Sequence, residues 1–174
     1  MKRTVFVLSI LLLTSCAAPA KVLAGEVVSC SSLKQLSVTN PIELGCLDGT
    51  KGAPINGLRG PAIINVWGSW CAPCREEIPI FRSFYEKASG KLQLVGVDVE
   101  EATIKDGRSF VLTHGMTWPN LFDADGLSRA YFGMGVPVTW FIAENGRVAY
   151  KKIGVIKNEI ELISLTSTYL GVKL

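Results

Sequence analysis

The sequence predicts an α/β protein built on a mixed β-sheet, and three observations lead to this class. An apolar, β-branched run at 62–67 is bounded by turn residues, which is typical of a buried strand. A helical pattern follows it and leads to a second apolar run at 92–99, so these two strands are expected to be parallel. The turn at 144–147 joins two further strand-like runs and predicts an antiparallel hairpin. The 174 residues, 48% of them hydrophobic, suit one domain with a sizeable core.

The elements of the first half follow from turn signals and hydrophobic spacing. Residues 42–47 alternate in part and precede the glycine-containing turn 48–52, which predicts a hairpin. After the strand at 62–67, a helix is expected over 75–88, because its apolar residues recur every three to four positions. The pair Ser89-Gly90 ends this helix.

The second half contains alternating helical and extended patterns, without repeats or a linker to a second domain. The predicted elements are the strand at 92–99, a helix at 103–114 ended by Gly115, a shorter helix at 123–132, strands at 137–143 and 148–153, and a closing amphipathic helix at 156–170.

The most informative motif is Cys71-Ala72-Pro73-Cys74, which lies where the strand at 62–67 gives way to a helix. A sulfur at a helix N-terminus meets unpaired backbone N–H groups and the positive end of the dipole, both of which favour the thiolate. Lowering its pKa from about 8.5 to about 7 would raise the ionised fraction at neutral pH from about 3% to about half. We therefore expect Cys71 to be a nucleophile and Cys74 to resolve the mixed disulfide.

Other uses of a CxxC motif fit this sequence less well. A zinc site needs four ligands, whereas the chain has one CxxC, one histidine and cysteines at unsuitable spacings. Covalent haem attachment requires histidine after the second cysteine, and residue 75 is Arg. A purely structural disulfide is the remaining alternative, although such pairs rarely occupy a strand-to-helix junction.

The N-terminus has the pattern of an export signal. A short basic region with Lys2 and Arg3 precedes an apolar stretch, and the residues before Cys16 resemble a bacterial lipobox. This predicts a signal peptide over 1–15, lipidation of Cys16, a tether and N-terminal extension over 16–41, and the main domain over 42–174. An ordinary signal peptide cut near Ala18 or Ala24, or an uncleaved anchor, stays open. All three alternatives imply export.

Export determines how the five cysteines are interpreted, because disulfides persist in oxidising compartments. With Cys16 assigned to lipid and the CxxC pair to chemistry, Cys30 and Cys46 are left and predict a structural disulfide. Two buried free thiols are the alternative, since sequence alone does not prove connectivity.

The charge balance indicates little about partners. The full chain carries +3, and removal of residues 1–15 takes away two basic residues and leaves +1. There is no basic cluster interleaved with aromatic residues, so nucleic acid is not expected as a partner.

Two segments resemble one known family. The segment at 65–79 is similar to the active-site signature of TlpA/ResA-type, thioredoxin-like, membrane-tethered oxidoreductases, and the segment at 135–142 to their cis-proline loop. The resemblance covers about 42–172. It implies the thioredoxin fold, a central mixed β-sheet flanked by helices, with an N-terminal β-extension and a helical insertion at about 101–125.

The resemblance also implies roles for individual residues. Pro137 would be a cis-proline beside the active-site sulfurs, and the backbone of Val136 would pair with an extended substrate segment. Glu77, three residues after Cys74, would influence cysteine titration and relay protons; a solvated first-turn carboxylate is the alternative. Thioredoxin has a buried aspartate six residues before its first active-site cysteine, where this chain has Asn65, which cannot accept a proton at neutral pH.

Three more residues around the motif are expected to tune it. Ala72 and Pro73 set the redox poise through the loop between the sulfurs, and Pro73 suits the first turn of a helix. Trp70 is expected to cover the Cys71 sulfur and to form part of an apolar surface that binds substrates. Trp67 is an equally good candidate for aromatic core filling.

These expectations describe a lipid-anchored, extracytoplasmic thiol–disulfide oxidoreductase, expected to be a monomer, with no metal and no cofactor beyond its own cysteines. Its partners would be exported cysteine-containing proteins, for example apocytochrome c, and a membrane thiol–disulfide electron donor or acceptor. Reduction of clients is the favoured direction. A disulfide-donating oxidase and a redox-inert binding module are the alternatives. A peroxidase of the peroxiredoxin type is disfavoured, because the Pro–x–x–x–Thr–x–x–Cys pattern is absent.

Overall fold

A computed structural model describes residues 24–133 and 135–174. The predicted signal peptide at 1–15 and the predicted lipidation site Cys16 lie outside the described residues. Within these two ranges, no helix combines the length and apolar character needed to cross a bilayer.

The described residues form seven strands and four α-helices. The strands are β1 (Glu43–Cys46), β2 (Ala53–Pro54), β3 (Ala62–Trp67), β4 (Gln93–Val99), β5 (Asn120–Asp123), β6 (Val138–Ile142) and β7 (Val148–Ile153). The helices are α1 (Ala72–Ala88), α2 (Ile104–His114), α3 (Arg129–Phe132) and α4 (Glu159–Leu170).

One sheet joins all seven strands in the order β2-β1-β5-β4-β3-β6-β7. Strands β3, β4 and β5 are parallel to one another, whereas β1, β6 and β7 pair antiparallel with their neighbours. The predicted mixed sheet is thus confirmed. Strand β3 is buried along its whole length, which agrees with its uninterrupted apolar sequence and with its central place in the order.

The structure differs from the sequence-based elements at several points. Strand β5 was not predicted, because its four residues show no periodicity of their own and pair with β1 and β4, both distant in sequence. The helix predicted at 123–132 shortens to α3, since the Asp123 carboxylate accepts the N–H groups of Leu127 and Ser128 in a turn. Helix α4 begins later than expected, because the Asn158 side chain caps it.

The sheet separates two apolar clusters. One cluster contains the large side chains of α1, α2 and α4 and the aromatic residues Trp67, Trp118 and Phe141. The other contains mainly aliphatic residues of the strands and of the N-terminal extension. Helix α1 packs on the face of the sheet that carries the first cluster, beside α4, which also contacts β6 and β7. Its buried face is formed by Cys74, Glu77, Ile78, Phe81, Phe84 and Ala88.

The described part of the N-terminal extension packs on the domain. Gly25 and Glu26 donate backbone hydrogen bonds to Leu112 and Met116 at 2.9 and 2.8 Å. A disulfide joins Cys30 to Cys46 of β1, with their Cα atoms 5.8 Å apart, and both residues are buried. The extension is consequently tied to the sheet both covalently and through its backbone.

We expect the double replacement of Cys30 and Cys46 by serine to lower the free energy of unfolding by about 3 kcal/mol, because the bond closes a loop of sequence separation 16 in the unfolded chain. Urea unfolding of the oxidised proteins measures the change. The matched control is the double serine variant of Cys71 and Cys74, whose loop has a separation of 3 and should cost less. Equal losses in the two variants would contradict the expectation.

Candidate active site

The redox loop, residues 68–71, connects β3 to α1. Cys71 is the N-cap of α1, with φ −81° and ψ 102°, and its sulfur accepts the backbone N–H of Cys74 at 3.1 Å. Pro73 is the second residue of the helix, where its missing N–H leaves no hydrogen bond unmade. The sulfur of Cys71 therefore takes the place that a serine or aspartate oxygen occupies at other helix starts.

The two cysteines of the motif are joined by a disulfide, with their Cα atoms 5.3 Å apart. Cys71 is 3% exposed and Cys74 is fully buried, so Cys71 is the more accessible of the two. The exposure of Cys71 is smaller than a freely accessible nucleophile would have. Its neighbour Trp70, in contrast, is 53% exposed.

Glu77 lies on the buried face of α1, fully removed from solvent, so the alternative of a solvated carboxylate does not hold. One carboxylate oxygen accepts the Asn65 Nδ2 hydrogen bond at 2.7 Å, and the other accepts the backbone N–H of Ile156 at 3.0 Å. Burial raises the pKa of Glu77 to about 7, although both hydrogen bonds oppose the shift. A carboxyl group that titrates near neutrality can take up and release protons beside the cysteine pair.

Asn65 lies in β3, three residues before the redox loop begins. Its Nδ2 donates to Glu77, and its Oδ1 has no partner among the described residues. The amide cannot accept a proton, so Glu77 is the ionisable group of this buried pair.

A cis peptide bond joins Val136 to Pro137 immediately before β6. Val136 packs against the apolar cluster that contains Cys71 and Cys74, and Pro137 is buried. A second cis bond, between Gly60 and Pro61 before β3, was not predicted from the sequence. The structure thus places Val136, 65 residues after Cys71, against the apolar cluster that includes both cysteines.

A small cavity of about 30 Å³ lies beside this loop. Trp70, Val66, Val99 and Val136 supply its apolar walls, and an ion pair between Arg129 and Glu100 at 2.5 Å lies at its edge. The Trp70 indole N–H donates to the backbone oxygen of Val99 at 3.4 Å, which orients the exposed ring. Trp67 instead points into the core and stacks on Phe110 with ring centroids 4.7 Å apart, so the core-filling interpretation applies to it.

Two carboxyl groups near the redox loop were missed by the sequence analysis. Glu101 accepts hydrogen bonds from both the backbone N–H and the hydroxyl of Ser69. Asp98 is fully buried at the end of β4, and burial, reinforced by repulsion from Glu101, raises its pKa to about 9. An acidic residue inside the apolar run 94–99 was the one local signal that could have drawn attention to this place.

The described residues contain no cluster of three or more histidine, cysteine or carboxylate side chains suited to a metal ion. Thiol–disulfide exchange needs two neighbouring sulfurs, and both are present here in one disulfide.

Comparisons with known proteins agree with this geometry. The AhpC/TSA family model matches residues 42–151. The thioredoxin-like protein YneN of Bacillus subtilis (strain 168) is 31% identical over 68% of this chain and 71% of its own length. Thiol-disulfide oxidoreductase ResA of Bacillus thuringiensis (strain Al Hakam) is 30% identical over 62% of this chain and 63% of its own length, slightly under two thirds.

Among solved structures, StoA from Bacillus subtilis matches with a TM-score of 0.58 and 27% identity, covering 69% of this chain and 91% of StoA. The mixed sheet, its flanking helices and this similarity confirm the thioredoxin-like fold that the sequence resemblance implied.

The buried carboxyl groups predict a pH-dependent stability. Glu77 titrates at about 7 in the folded protein and at 4.5 when exposed, so the folded state holds more protons between these values. The free energy of unfolding should therefore fall as pH rises from 4.5 to 7, by at most about 1.4 kcal/mol per pH unit from this group. Asp98 acts in the same direction from 3.8 to about 9.

Urea unfolding at a series of pH values measures these slopes. Glu77→Gln should flatten the curve between pH 4.5 and 7, and Asp98→Asn should remove the decline that continues from pH 7 to 9. Glu86→Gln, an exposed replacement on the same helix, is the control and should leave the profile unchanged. Curves for Glu77→Gln and the unmodified protein that stay parallel below pH 7 would contradict the assignment.

Proposed function

This chain belongs to the AhpC/TSA family and is a thioredoxin-like thiol–disulfide oxidoreductase, and we propose that Cys71 and Cys74 exchange electrons with cysteines of exported proteins. The observation that carries the proposal is the sulfur of Cys71 at the N-cap of α1, bonded to a buried second cysteine one turn further on. Backbone N–H groups at this place stabilise a thiolate, the form that attacks disulfides.

In the reductive direction, the Cys71 thiolate attacks a client disulfide, forms a mixed disulfide and releases one client sulfur as a thiolate. Cys74 then attacks the Cys71 sulfur, which breaks the mixed disulfide and releases the second client sulfur. The client gains two electrons, and the protein is left with the Cys71–Cys74 disulfide. A membrane thiol–disulfide donor would return the two electrons.

Cys74 must lose its proton for the second step, and Glu77 is the group that we assign to receive it. The carboxyl group lies on the same buried face of α1, and its pKa of about 7 suits proton transfer at neutral pH. Asn65 positions the carboxylate through its Nδ2 hydrogen bond. Ala72 and Pro73 act on the redox poise through the first turn of α1.

Substrates are proposed to bind at the surface formed by Trp70 and the loop at 135–137. The exposed indole offers an apolar contact, and the backbone of Val136 can pair with an extended client segment in the manner of an added strand. Pro137 restricts the backbone of this loop through its fixed φ. Because it has no N–H, backbone hydrogen bonds to a client segment would come from Val136.

Reduction is the direction that the buried carboxyl group favours. A carboxylate beside Cys74 opposes ionisation of that thiol, which disfavours the reduced form and makes the pair a stronger reductant. The alternative is an oxidase that donates its disulfide to folding proteins. Titration against glutathione separates them: a potential near about −270 mV supports a reductase, and one near about −120 mV supports an oxidase.

We assign the protein to the extracytoplasmic side of the bacterial cell membrane, anchored through lipid on Cys16 after removal of 1–15. The Cys30–Cys46 disulfide supports this location, because such bonds persist in oxidising compartments. The domain proper is proposed to span 42–174, with 16–41 as the tether and extension. Exported proteins with cysteine pairs, for example apocytochrome c, are the proposed clients.

Single replacements distinguish the two cysteines. Cys71→Ser should abolish insulin reduction, whereas Cys74→Ser should accumulate a mixed disulfide with insulin because nothing resolves it. Turbidity and non-reducing gels followed by peptide mass spectrometry measure both outcomes. Cys30→Ser with Cys46→Ser is the matched control and should retain reduction. Activity that survives Cys71→Ser but is lost in this control would move the active pair to Cys30 and Cys46 and refute the proposal.

We expect Glu77→Gln to lower the rate of disulfide exchange by about tenfold at pH 7. This is a conservative figure, because a general base typically contributes about 10²- to 10⁴-fold. The amide retains the Asn65 contact but cannot accept a proton. Stopped-flow exchange with a mixed-disulfide probe across pH 6–9 measures the effect, with Glu86→Gln as the control. An unchanged rate over this range would refute the role of Glu77.

A further inference from the structure

The redox loop is held to the end of β4 by one acidic side chain. One Glu101 carboxylate oxygen accepts the backbone N–H of Ser69, and the other accepts the Ser69 hydroxyl at 2.8 Å. Ser69 lies two residues before Cys71 and 32 residues before Glu101. Two charge-assisted hydrogen bonds to one carboxylate fix both the position and the orientation of the residue that donates them.

The rest of the loop is tied down on either side of Ser69. The Ser69 carbonyl accepts a hydrogen bond from the Arg75 guanidinium at 3.0 Å, and the Cys71 N–H closes the turn onto the Gly68 carbonyl at 3.0 Å. Both the N–H and the C=O of Ser69 are thus bound to charged side chains. The turn that leads into the N-cap of α1 depends on this residue.

The buried side chain of Asp98 in β4 is the neighbour of Glu101 on the protein interior side. Neither oxygen of the buried Asp98 carboxyl finds a donor among the described residues. It faces Glu101 from the following loop and Asp106 from α2, and it packs directly against Gly107, where a Cβ would lie 1.8 Å from Asp98 Oδ2. Glu101 has the Ser69 donors but Asp98 has none, so a proton held between the two adjacent carboxyl groups relieves both their repulsion and the missing donor. A protonated Asp98 can donate a hydrogen bond to the adjacent Glu101 side chain.

We propose that Glu101 is a positioning residue for Cys71: through Ser69 it holds the redox loop so that the Cys71 sulfur caps α1 as a thiolate. This inference rests on the proposed function, in which Cys71 is the nucleophile. Without Glu101, Ser69 exchanges its fixed acceptor for water, the turn relaxes, and the sulfur spends less time at the helix N-terminus. The apparent pKa of Cys71 then rises towards that of a free thiol.

The chain offers a matched control for this arrangement. Asp48 also accepts both the backbone N–H and the hydroxyl of one residue, Thr50, at 2.8 and 2.7 Å, but it lies in the turn after β1. Asp48→Ala therefore removes the same two kinds of hydrogen bond at a place outside the redox loop. A change in Cys71 reactivity that Glu101→Ala causes and Asp48→Ala does not is therefore due to the loss of contacts to the redox loop.

The experiment uses the full chain with Cys74→Ser, so that Cys71 is the free thiol of the motif, and follows iodoacetamide labelling from pH 5 to 10. The labelled peptide is identified by mass. Glu101→Ala should slow labelling at pH 7 by about fivefold, which corresponds to a rise of about one unit in the apparent pKa of Cys71 from about 7, since the thiolate fraction falls from about one half to about one tenth. Glu101→Gln should stay within about threefold, because its amide oxygen still accepts the Ser69 N–H.

Equal labelling profiles for Glu101→Ala and its parent would overturn the inference, as would an equal slowing in Asp48→Ala. Ser69→Ala removes one of the two donors without burying a new group. This variant should slow labelling by a few fold. If Glu101→Ala does not fold, Ser69→Ala becomes the test, and an unchanged labelling rate in it overturns the inference. If the parent itself labels no faster than free cysteine at pH 7, the proposed function fails first. A fast parent with unaffected variants removes the role of Glu101 alone.

Discussion

The unpaired N–H groups at the start of α1 are the constraint on which the site depends. A helix needs acceptors there, and the sulfur of Cys71 supplies one to Cys74 at 3.1 Å. The same contact places a polarisable atom at the positive end of the dipole. It persists because α1 is fixed on the sheet beside α4, with its inner face buried. Packing of the whole domain thus determines the chemistry of one sulfur.

Buried carboxyl groups flank this helix start on two sides. Glu77 lies on the inner face of α1 and Asp98 at the end of β4, and burial raises the pKa of each. Burying such groups lowers the stability of the folded state above neutral pH, a cost that a purely structural core avoids. Groups of this kind concentrate at functional sites, where a proton near pH 7 is useful. Glu77 lies three residues after Cys74 and Asp98 lies opposite Trp67 of β3, so the positions of both near the redox loop fit that explanation.

The two disulfides have different surroundings. Cys30 and Cys46 join the N-terminal extension to β1, and neither caps an α-helix; Cys30 begins a single 3-10 turn. Cys71 and Cys74 lie at the first turn of α1, in the apolar cluster against which Val136 packs. Burial does not separate the pairs, since all four residues are buried. The difference lies in the helix N-terminus, in Glu77 and in the exposed Trp70.

Local patterns alone determined the CxxC motif after an apolar strand, the hairpin around Gly146 and the order of the main strands and helices, because each depends on neighbours within a few residues. The tertiary structure decided the rest. Only packing shows that β5 completes the sheet, that Ile156, 79 residues away, donates to Glu77, and that Glu101 binds Ser69. Burial and the pKa of a side chain depend on atoms that the fold brings from distant parts of the chain, and no local pattern encodes them.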